Sequence, residues 1–316
     1  MRRHLSALLA FGLGGSLILG IASAAAAEAA GEALVGRWDI TIHTPAGDLP
    51  SWLEIRRSGF RTLVGRFVGV VGSARPISRV EAEGGELRFS LPPQWEDGKD
   101  DLSFRGRLRG DTITGSMTFP DRRRFDWSAR RAPSLQRPAA PKWAAPIRLF
   151  NGTDLSGWRA LGGSRSRWQV ADGVLRNAAG GANLATERKF SDFKLHAELR
   201  LPAGSNSGVY LRGRYEVQIA DALGEPPSDR LGAVYGFLAP SEDAARGPDA
   251  WQSLDITLIG RRITVMLNGR TVVCDREIPG ITGGALDSDE GAPGPLLLQG
   301  DHGPVEFRDI TLTPAQ

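Results

Sequence analysis

Short stretches in which apolar and polar residues alternate, separated by glycine and charged residues, fill the chain from residue 36 to residue 131. An alternation of period two places successive side chains on opposite faces of a strand, and frequent turn residues between the stretches favour antiparallel connections. The pattern therefore predicts a small antiparallel barrel or sandwich over residues 32–132. Its strands are predicted at residues 38–42, 52–55, 64–68, 86–89, 102–105 and 112–117.

A proline-rich and alanine-rich stretch follows at residues 133–146, with Pro133, Pro138, Pro141 and Pro146. Such a composition is typical of an extended, semi-rigid spacer, so we place a domain boundary there.

Strand-like segments resume after this linker, at residues 166–170, 192–200, 207–211, 214–219, 253–259, 262–267 and 305–312. Asp172-Gly173 and Asn268-Gly269 are strong hairpin signals. No long amphipathic helix is indicated. The chain is thus predicted to be all-β, with a two-sheet β-sandwich over residues 147–316.

The first residues have the order of a secretory signal peptide: Arg2 and Arg3, an apolar stretch over residues 5–21, and small residues ending near Ala27. A transmembrane anchor is the alternative, but four glycines dilute the apolar stretch. We expect residues 1–27 to be removed, and the mature protein to be periplasmic or extracellular without membrane insertion. The single cysteine, Cys274, lies in an apolar run and is expected to be buried.

The net charge of +3 and the pI near 9.3 come from arginines scattered over both halves. The densest cluster, Arg122 to Arg124, lies beside Pro120 and Asp121 and is interpreted as a solvated turn. Nucleic acid is therefore not an expected partner.

Polar side chains share one face of several strands in the second half. Around Leu195 the apolar residues alternate with Lys194, His196, Glu198 and Arg200. If the next two strands are neighbours in the same sheet, Arg212, Glu216 and Gln218 share that surface. An ordinary solvated face is the alternative. Mixed carboxylate, guanidinium and amide groups suit a sugar, as do the nearby rings of Tyr210, Tyr235 and Trp251.

Several motifs in residues 147–313 resemble the 3-keto-disaccharide hydrolase domain family. They include Leu-Phe-Asn-Gly-Thr-Asp-Leu-Ser-Gly-Trp at 149–158, Asn-Ser-Gly-Val-Tyr-Leu-Arg at 206–212, Tyr-Glu-Val-Gln-Ile at 215–219 and Gln-Gly-Asp-His-Gly at 299–303. Two departures concern the rim of the site: Gly300-Asp301 separates Gln299 from His302, and an insertion occupies residues 283–287. The N-terminal Gly36-Arg37-Trp38 is similar to the start of lipocalin-like (calycin) barrels.

The resemblance implies a concanavalin-like jelly roll with a concave sugar site, and cleavage of glycosides already oxidised to a ketone at C3. The ketone acidifies the C2 hydrogen and makes the C1 oxygen a leaving group, so elimination followed by hydration gives net hydrolysis. This route needs a base near C2, a stabiliser of the enolate and an acid near the leaving oxygen.

We assign Glu216 as base or metal ligand, Arg212 as enolate stabiliser, and His302 to proton transfer or metal ligation. Structural roles are the alternatives: sugar anchoring for Glu216, an ion pair for Arg212 and a loop hydrogen bond for His302. Whether a divalent metal ion takes part stays open, with Glu198 and Asp221 as further oxygen ligands. The predicted substrate-binding residues are Glu198, Arg200, Tyr210, Gln218, Asp221, Tyr235, Trp251 and Gln299.

Two other functions compete with an enzyme acting on 3-keto sugars. A non-catalytic carbohydrate-binding or lectin-like envelope module could use the same sandwich, because a fold does not fix a function. Alternatively, the first barrel, which lacks the composition of a catalytic centre, could bind a further partner. A glucanase of the concanavalin-like class is discounted, because no Glu-x-Asp-x-x-Glu string occurs.

Overall fold

The computed structural model describes residues 31–162, 164–178, 180–221 and 226–316. The predicted signal peptide lies outside these residues. In the described part of the chain, no helix has the length and apolar character needed to cross a membrane.

The first half is a closed barrel of eight antiparallel strands, in which each strand pairs with the next and β8 pairs back to β1. This confirms the predicted all-β class and the barrel expected from the lipocalin-like start. The strands are β1 Gly36–Thr44, β2 Gly47–Ser58, β3 Thr62–Val68, β4 Arg75–Glu83, β5 Glu86–Leu91, β6 Leu102–Arg109, β7 Thr112–Thr118 and β8 Arg124–Arg131.

The barrel core follows from the alternation along its strands. Trp38, Ile40 and Ile42 of β1 are buried among the inward-facing residues of the other strands. A helical turn at residues 31–34 covers one end of the barrel, and its Leu34 is buried. The Trp38 indole N–H donates to the Leu34 carbonyl at 2.9 Å. The opposite end carries the long loops, including residues 69–74 and 92–101.

The second half is a β-sandwich of two sheets. The five-stranded sheet has the order β10-β13-β20-β15-β16, and the other has the order β11-β12-β21-β14-β17-β18-β19, with β9 paired to β21. The bounds are β9 Ile147–Arg148, β10 Trp158–Leu161, β11 Trp168–Ala171, β12 Val174–Asn177, β13 Asn183–Phe190, β14 Phe193–Arg200, β15 Asn206–Leu211, β16 Tyr215–Ala220, β17 Gln252–Ile259, β18 Arg262–Leu267, β19 Arg270–Glu277, β20 Gly294–Leu298 and β21 Val305–Pro314, with a 3₁₀ helix at Pro227–Asp229.

Burial differs between the two sheets of the sandwich. In β14 only alternate residues are buried, because the outer face of its sheet meets solvent. In β16 every residue is buried. Val217 and Ile219 face the core between the sheets, whereas Glu216 and Gln218 face a cavity on the other side. The outer face of the five-stranded sheet is therefore covered, and the barrel supplies part of the cover.

The barrel packs against the sandwich through the outward-facing side chains of β1 to β3. Trp52 points away from the barrel interior and is fully buried in the hydrophobic core of the sandwich. Its ring lies edge-on to Phe237 with 5.4 Å between centroids. Thr41 and Ser288 share a hydrogen bond of 2.9 Å between their hydroxyls. The two halves thus share apolar and polar contacts.

The insertion at residues 283–287 forms part of this interface. The N–H of Gly284 donates to the Val70 carbonyl at 2.8 Å. A Cβ at Gly283 would lie 2.3 Å from the carbonyl oxygen of Gly72, so a side chain there would push the barrel loop away. The segment that departs from the family pattern, residues 283–287, is thus in direct contact with the β3–β4 loop of the barrel.

The proline-rich linker lies on the sandwich. Leu135 is buried, and Arg137 donates to the Asp192 carboxylate at 2.6 Å. Cys274 was expected to be buried, and this was wrong, because it is exposed. Register shifts between β18 and β19 place the adjacent residues Val272 and Val273 both inside, so Cys274 falls outside.

Candidate functional site

A cavity of about 480 Å³ lies between the outer face of the five-stranded sheet and the loops of the barrel. Its volume is in the range of small-molecule sites. The sheet and the loops after it contribute amide, carboxyl, phenol and imidazole groups. The lining residues are Val71, Gly72, Trp95, Asn183, Asn206, Tyr210, Glu216, Gln218, Tyr235, Gly283, Gly284, Gln299, Asp301 and His302.

Glu216 is the buried carboxyl group of this cavity, with 3% of its surface exposed. The phenol of Tyr210 donates to its Oε2 at 2.9 Å. Turned so that its nitrogen faces acceptors, the Gln218 amide donates to Oε1 at 3.2 Å. Burial raises the pKa of Glu216 to about 8, although the Tyr210 hydrogen bond opposes the shift. Such a group exchanges protons near neutral pH.

Gly208 makes room for this carboxyl group. It lies opposite Gln218 on the neighbouring strand β15, and a Cβ on it would lie 2.2 Å from Oε1 of Glu216. Any larger residue would therefore displace the Glu216 side chain.

His302 lies in the loop between β20 and β21, beside Asp301. The Nδ1 atom of its ring is 2.8 Å from the Asp301 carboxylate, and the side chain is half exposed. The hydrogen bond to Asp301 raises the pKa of His302 above its ordinary value. The charge of His302 acts in turn on Glu216 and lowers its pKa. A carboxyl and an imidazole group therefore face one cavity and influence each other's ionisation.

Two further predicted residues, Tyr235 and Gln299, also line the cavity. Burial raises the pKa of Tyr235 to about 12, so its phenol stays neutral at physiological pH. The side-chain oxygens of Gln299 and Asn206 are buried and have no hydrogen-bond partner in the described part of the chain. Orphaned acceptors of this kind call for a donor, such as a hydroxyl group of a ligand.

Arg212, expected to lie with Glu216, is placed elsewhere. It is a turn residue between β15 and β16 with φ of 54°, and Gly213 beside it has φ of 67°. The strand alternation ends at this turn. The guanidinium group is buried near the other end of the sheet, where it donates to the Tyr215 hydroxyl and the Gly260 carbonyl at 3.0 Å each. It does not reach the cavity.

Glu198, Arg200 and Trp251 were expected to share the surface of Glu216, and the topology shows why they do not. β14 belongs to the other sheet, so its polar face is on the opposite side of the sandwich. There Arg200 pairs with Glu306 and Arg308 pairs with Glu198. Both guanidinium groups lie over the Trp251 ring.

Asp221 also lies outside the cavity lining. Its carboxylate accepts the N–H of Gly204 at 2.9 Å, which fixes a turn. The oxygen-rich cation site considered for Glu198, Asp221 and Glu216 is therefore not assembled. Across the described residues, no group of three or more His, Cys, Asp or Glu side chains is arranged to hold a metal ion.

Three cavity residues come from the barrel, where the sequence showed no catalytic composition: Val71, Gly72 and Trp95. The only signal that could have identified Trp95 and Val71 as site residues is that they are apolar and exposed, and this is known only after the strands have been placed. Asn183 was missed as well, because no sequence motif contains it. Its amide oxygen accepts a hydrogen bond from the N–H of Gly300 at 2.8 Å.

Comparison with known proteins places residues 145–313 in the family described as the 3-keto-alpha-glucoside-1,2-lyase-like domain. A protein of Bacteroides thetaiotaomicron named 3-keto-disaccharide hydrolase is 30% identical over 100 residues, which cover 28% of this chain and 33% of that protein. The matched region thus spans about a third of the length of this curated relative.

Two crystal structures of proteins from Parabacteroides distasonis, both provisionally described as glycosyl hydrolases, are also similar. One is 27% identical with a TM-score of 0.45, and the match covers 57% of this chain and 93% of the other. The second is 25% identical with a TM-score of 0.43, and the match covers 54% of this chain and 98% of the other.

Proposed function

Because this chain belongs to the family of 3-keto-alpha-glucoside-1,2-lyase-like domains, we propose that it cleaves glycosides carrying a ketone at C3 of the sugar. The observation that carries the proposal is that buried Glu216 and His302 line the same cavity of about 480 Å³. We also propose export to the periplasm or the cell exterior, on the basis of the signal peptide predicted at residues 1–27.

In the proposed reaction, the Glu216 carboxylate takes the C2 proton. A pKa of about 8 makes this carboxylate a stronger base than an ordinary glutamate, which suits a C–H bond acidified by the adjacent ketone. The electrons of the C2–H bond pass into the enolate of the C3 ketone. Collapse of this enolate forms the C1–C2 double bond and expels the oxygen at C1.

The leaving oxygen needs a proton, and protonated His302 is the donor that we assign to it. Asp301 favours this role because it raises the pKa of His302 and so maintains the imidazolium form. Water then adds at C1 and a proton returns to C2, which gives the free 3-keto sugar.

The enolate oxygen requires hydrogen-bond donors, and Arg212 lies too far away to be one. Tyr235 and Asn183 are the neutral donors that we assign instead. Both line the cavity, and the amide oxygen of Asn183 is already engaged by Gly300, which leaves its nitrogen to donate. The buried acceptors of Gln299 and Asn206 supply partners for sugar hydroxyl groups.

Incubation of the purified protein with a 3-keto-glucoside, with and without a chelator, tests the proposal. We expect release of the aglycone, and the arm with chelator reports whether a divalent metal ion takes part. Glu216→Gln should fold and lose activity by about 10² to 10⁴-fold, the range of general-base catalysis. Glu198→Gln is the matched control, because Glu198 lies on the other sheet. Sugar binding without turnover in the unchanged protein would instead indicate a carbohydrate-binding module.

A further inference from the structure

A second cavity, of about 590 Å³, opens at the end of the barrel that carries the long loops. Its walls are inward-facing apolar side chains, among them Ile42, Phe67 and Met117. Phe119 and Phe125 line it nearer the mouth. Barrels of eight strands either fill this space with side chains or hold one small ligand in it. The volume that is left here corresponds to the second case.

Charged groups at this mouth are few, and two of them are already engaged. Glu96 is paired with Arg75 at 2.7 Å, and Arg123 is paired with Asp121 at 2.5 Å while lying over the Phe119 and Phe125 rings. Asp97 completes the charged set and is exposed to solvent. The cavity therefore offers apolar and aromatic surface to a ligand.

Val71 and Trp95 line both this cavity and the polar one that contains Glu216. They are 49% and 68% exposed, and they are two of the four exposed large apolar residues in the described part of the chain. Exposed apolar side chains that meet at a cavity mark a binding surface. The two cavities are thus adjacent and share an apolar wall.

The position of Trp95 is fixed by its neighbours. The Glu96 carboxylate accepts the backbone N–H groups of Gln94 at 2.8 Å and of Trp95 at 3.2 Å, while Arg75 holds its other oxygen. A Cβ at Gly72 would lie 2.7 Å from Cδ1 of Trp95, so the indole ring packs directly on that glycine. The indole therefore stays exposed between the cavities because its loop is anchored.

We propose that the barrel cavity receives the aglycone of the substrate, and that this aglycone is apolar and aromatic. The inference rests on the proposed function, because it places the 3-keto sugar beside Glu216 and the leaving oxygen near Trp95. A second sugar in the barrel would leave its hydroxyl groups without partners against Phe67 and Met117. Cleavage of the C1–O bond releases a phenol or apolar alcohol, which carries the proton given to its oxygen.

Two substrates and one product analogue test this assignment with the full chain. The substrates are the 3-keto forms of 2-naphthyl glucoside and of a glucose disaccharide, and the analogue is 2-naphthol alone, titrated by calorimetry. Ala46→Trp places an indole at the barrel mouth, because Ala46 is exposed and lines the cavity. Ala33→Trp is the matched control at the covered end, and Trp95→Ala removes the shared wall.

We expect the unchanged protein to bind 2-naphthol and to have a KM for the naphthyl substrate roughly tenfold below that for the disaccharide, a typical effect of an apolar pocket. Ala46→Trp and Trp95→Ala should each abolish this difference by raising the naphthyl KM, whereas Ala33→Trp should preserve it. Equal KM values for both substrates without 2-naphthol binding would overturn the inference alone. Binding of 2-naphthol with no turnover of either keto-glycoside would overturn the proposed function and leave the apolar site established.

Discussion

The phenol of Tyr210 lies between two acceptors: Oε2 of Glu216 at 2.9 Å and the carbonyl oxygen of Gly283 at 3.0 Å. Its single proton can serve only one of them fully at a time. Donation to Glu216 favours the ionised carboxylate, whereas donation to Gly283 leaves that carboxylate with less support. Gly283 belongs to the loop that contacts the barrel. The ionisation of Glu216 is therefore linked, through the Tyr210 hydroxyl, to the position of that loop.

Tyr210→Phe should raise the pKa of Glu216 above about 8, because the hydrogen bond that lowers it is lost while burial remains. The base must be ionised to act, so the rising limb of kcat/KM should move to higher pH, and activity at pH 7 should fall about tenfold for each pKa unit. A pH profile of kcat/KM measures this shift. Tyr235→Phe is the control for the position of the limb alone. Loss of this enolate donor should lower kcat at every pH, but the limb should stay in place, because the Tyr235 phenol makes no hydrogen bond to Glu216 in the described structure. An unmoved limb in Tyr210→Phe would refute the assignment.

Gly208→Ala should reduce activity while the protein stays folded. The added methyl group would lie 2.2 Å from Glu216 Oε1, and a displacement of about 1 Å at a reacting group can lower the rate by about 10²-fold. Gly291→Ala is matched to it, because the nearest atom to a Cβ there is 3.8 Å away. Kinetics and circular dichroism of both variants give the comparison. Full activity of Gly208→Ala would show that the position of Glu216 is not critical.

The all-β class, the barrel and the sandwich could be predicted because alternation, turn residues and family motifs act locally. Glu216 and Gln218 could be placed on a common face for the same reason, since both belong to one strand. The pairing of β14 with β17 and β21 rather than with β15 depends on contacts distant in sequence, and alternation carries no such information. Glu198 and Arg200 were misplaced on that account.

The contribution of the barrel to the site was equally hidden. Trp52 and Asp39 occupy outward positions of an alternating pattern, and such positions are ordinarily solvated. Only the packing of a second domain explains why both are buried. Trp95 is the opposite case, because it is 68% exposed and lies in a loop. Its role in the site is recognised only when the structure shows that it lines both cavities.

Arg212→Met should lower stability without lowering the turnover of the folded protein. The guanidinium group donates to Tyr215 and Gly260 inside the sandwich, and we expect a loss of about 2 to 4 kcal/mol in the free energy of unfolding. Denaturant unfolding and kcat, corrected for the folded fraction, test both parts. A loss of kcat in fully folded protein would restore Arg212 as a candidate for enolate stabilisation.

Asp301→Asn should lower the pKa of His302 towards its ordinary value, because the hydrogen bond to Asp301 is the main cause that raises it. The His302 ring then loses its proton at a lower pH, so the falling limb of kcat/KM should move to lower pH. Titration of the His302 ring by NMR gives the pKa directly. Asp48→Asn is the control, since Asp48 pairs with His43 on the barrel. A shift of equal size in both variants would argue against the specific pair.

Asp39 connects stability to pH through the contact between the barrel and the sandwich. It lies on the outer face of β1 and is 9% exposed. Burial, followed by the nearby Glu290 carboxylate, raises its pKa from 3.8 to about 9. The unfolded chain loses this proton near pH 4, whereas the folded chain keeps it to about pH 9. Because the folded state binds the additional proton between these limits, its stability should fall as the pH rises from about 4 to about 9.

Asp39→Asn should remove this contribution, since the amide can donate to Glu290 as the protonated carboxyl does and carries no charge. We expect the variant to be about 1 to 3 kcal/mol more stable than the unchanged protein at pH 8, and nearly equal to it at pH 4. Urea unfolding at both pH values measures the difference. Asp111→Asn, which removes an exposed carboxylate paired with Arg131, should show no such pH dependence. If Asp39→Asn were destabilising at pH 8, the carboxylate would be ionised and paired with Arg261, and the raised pKa would be wrong.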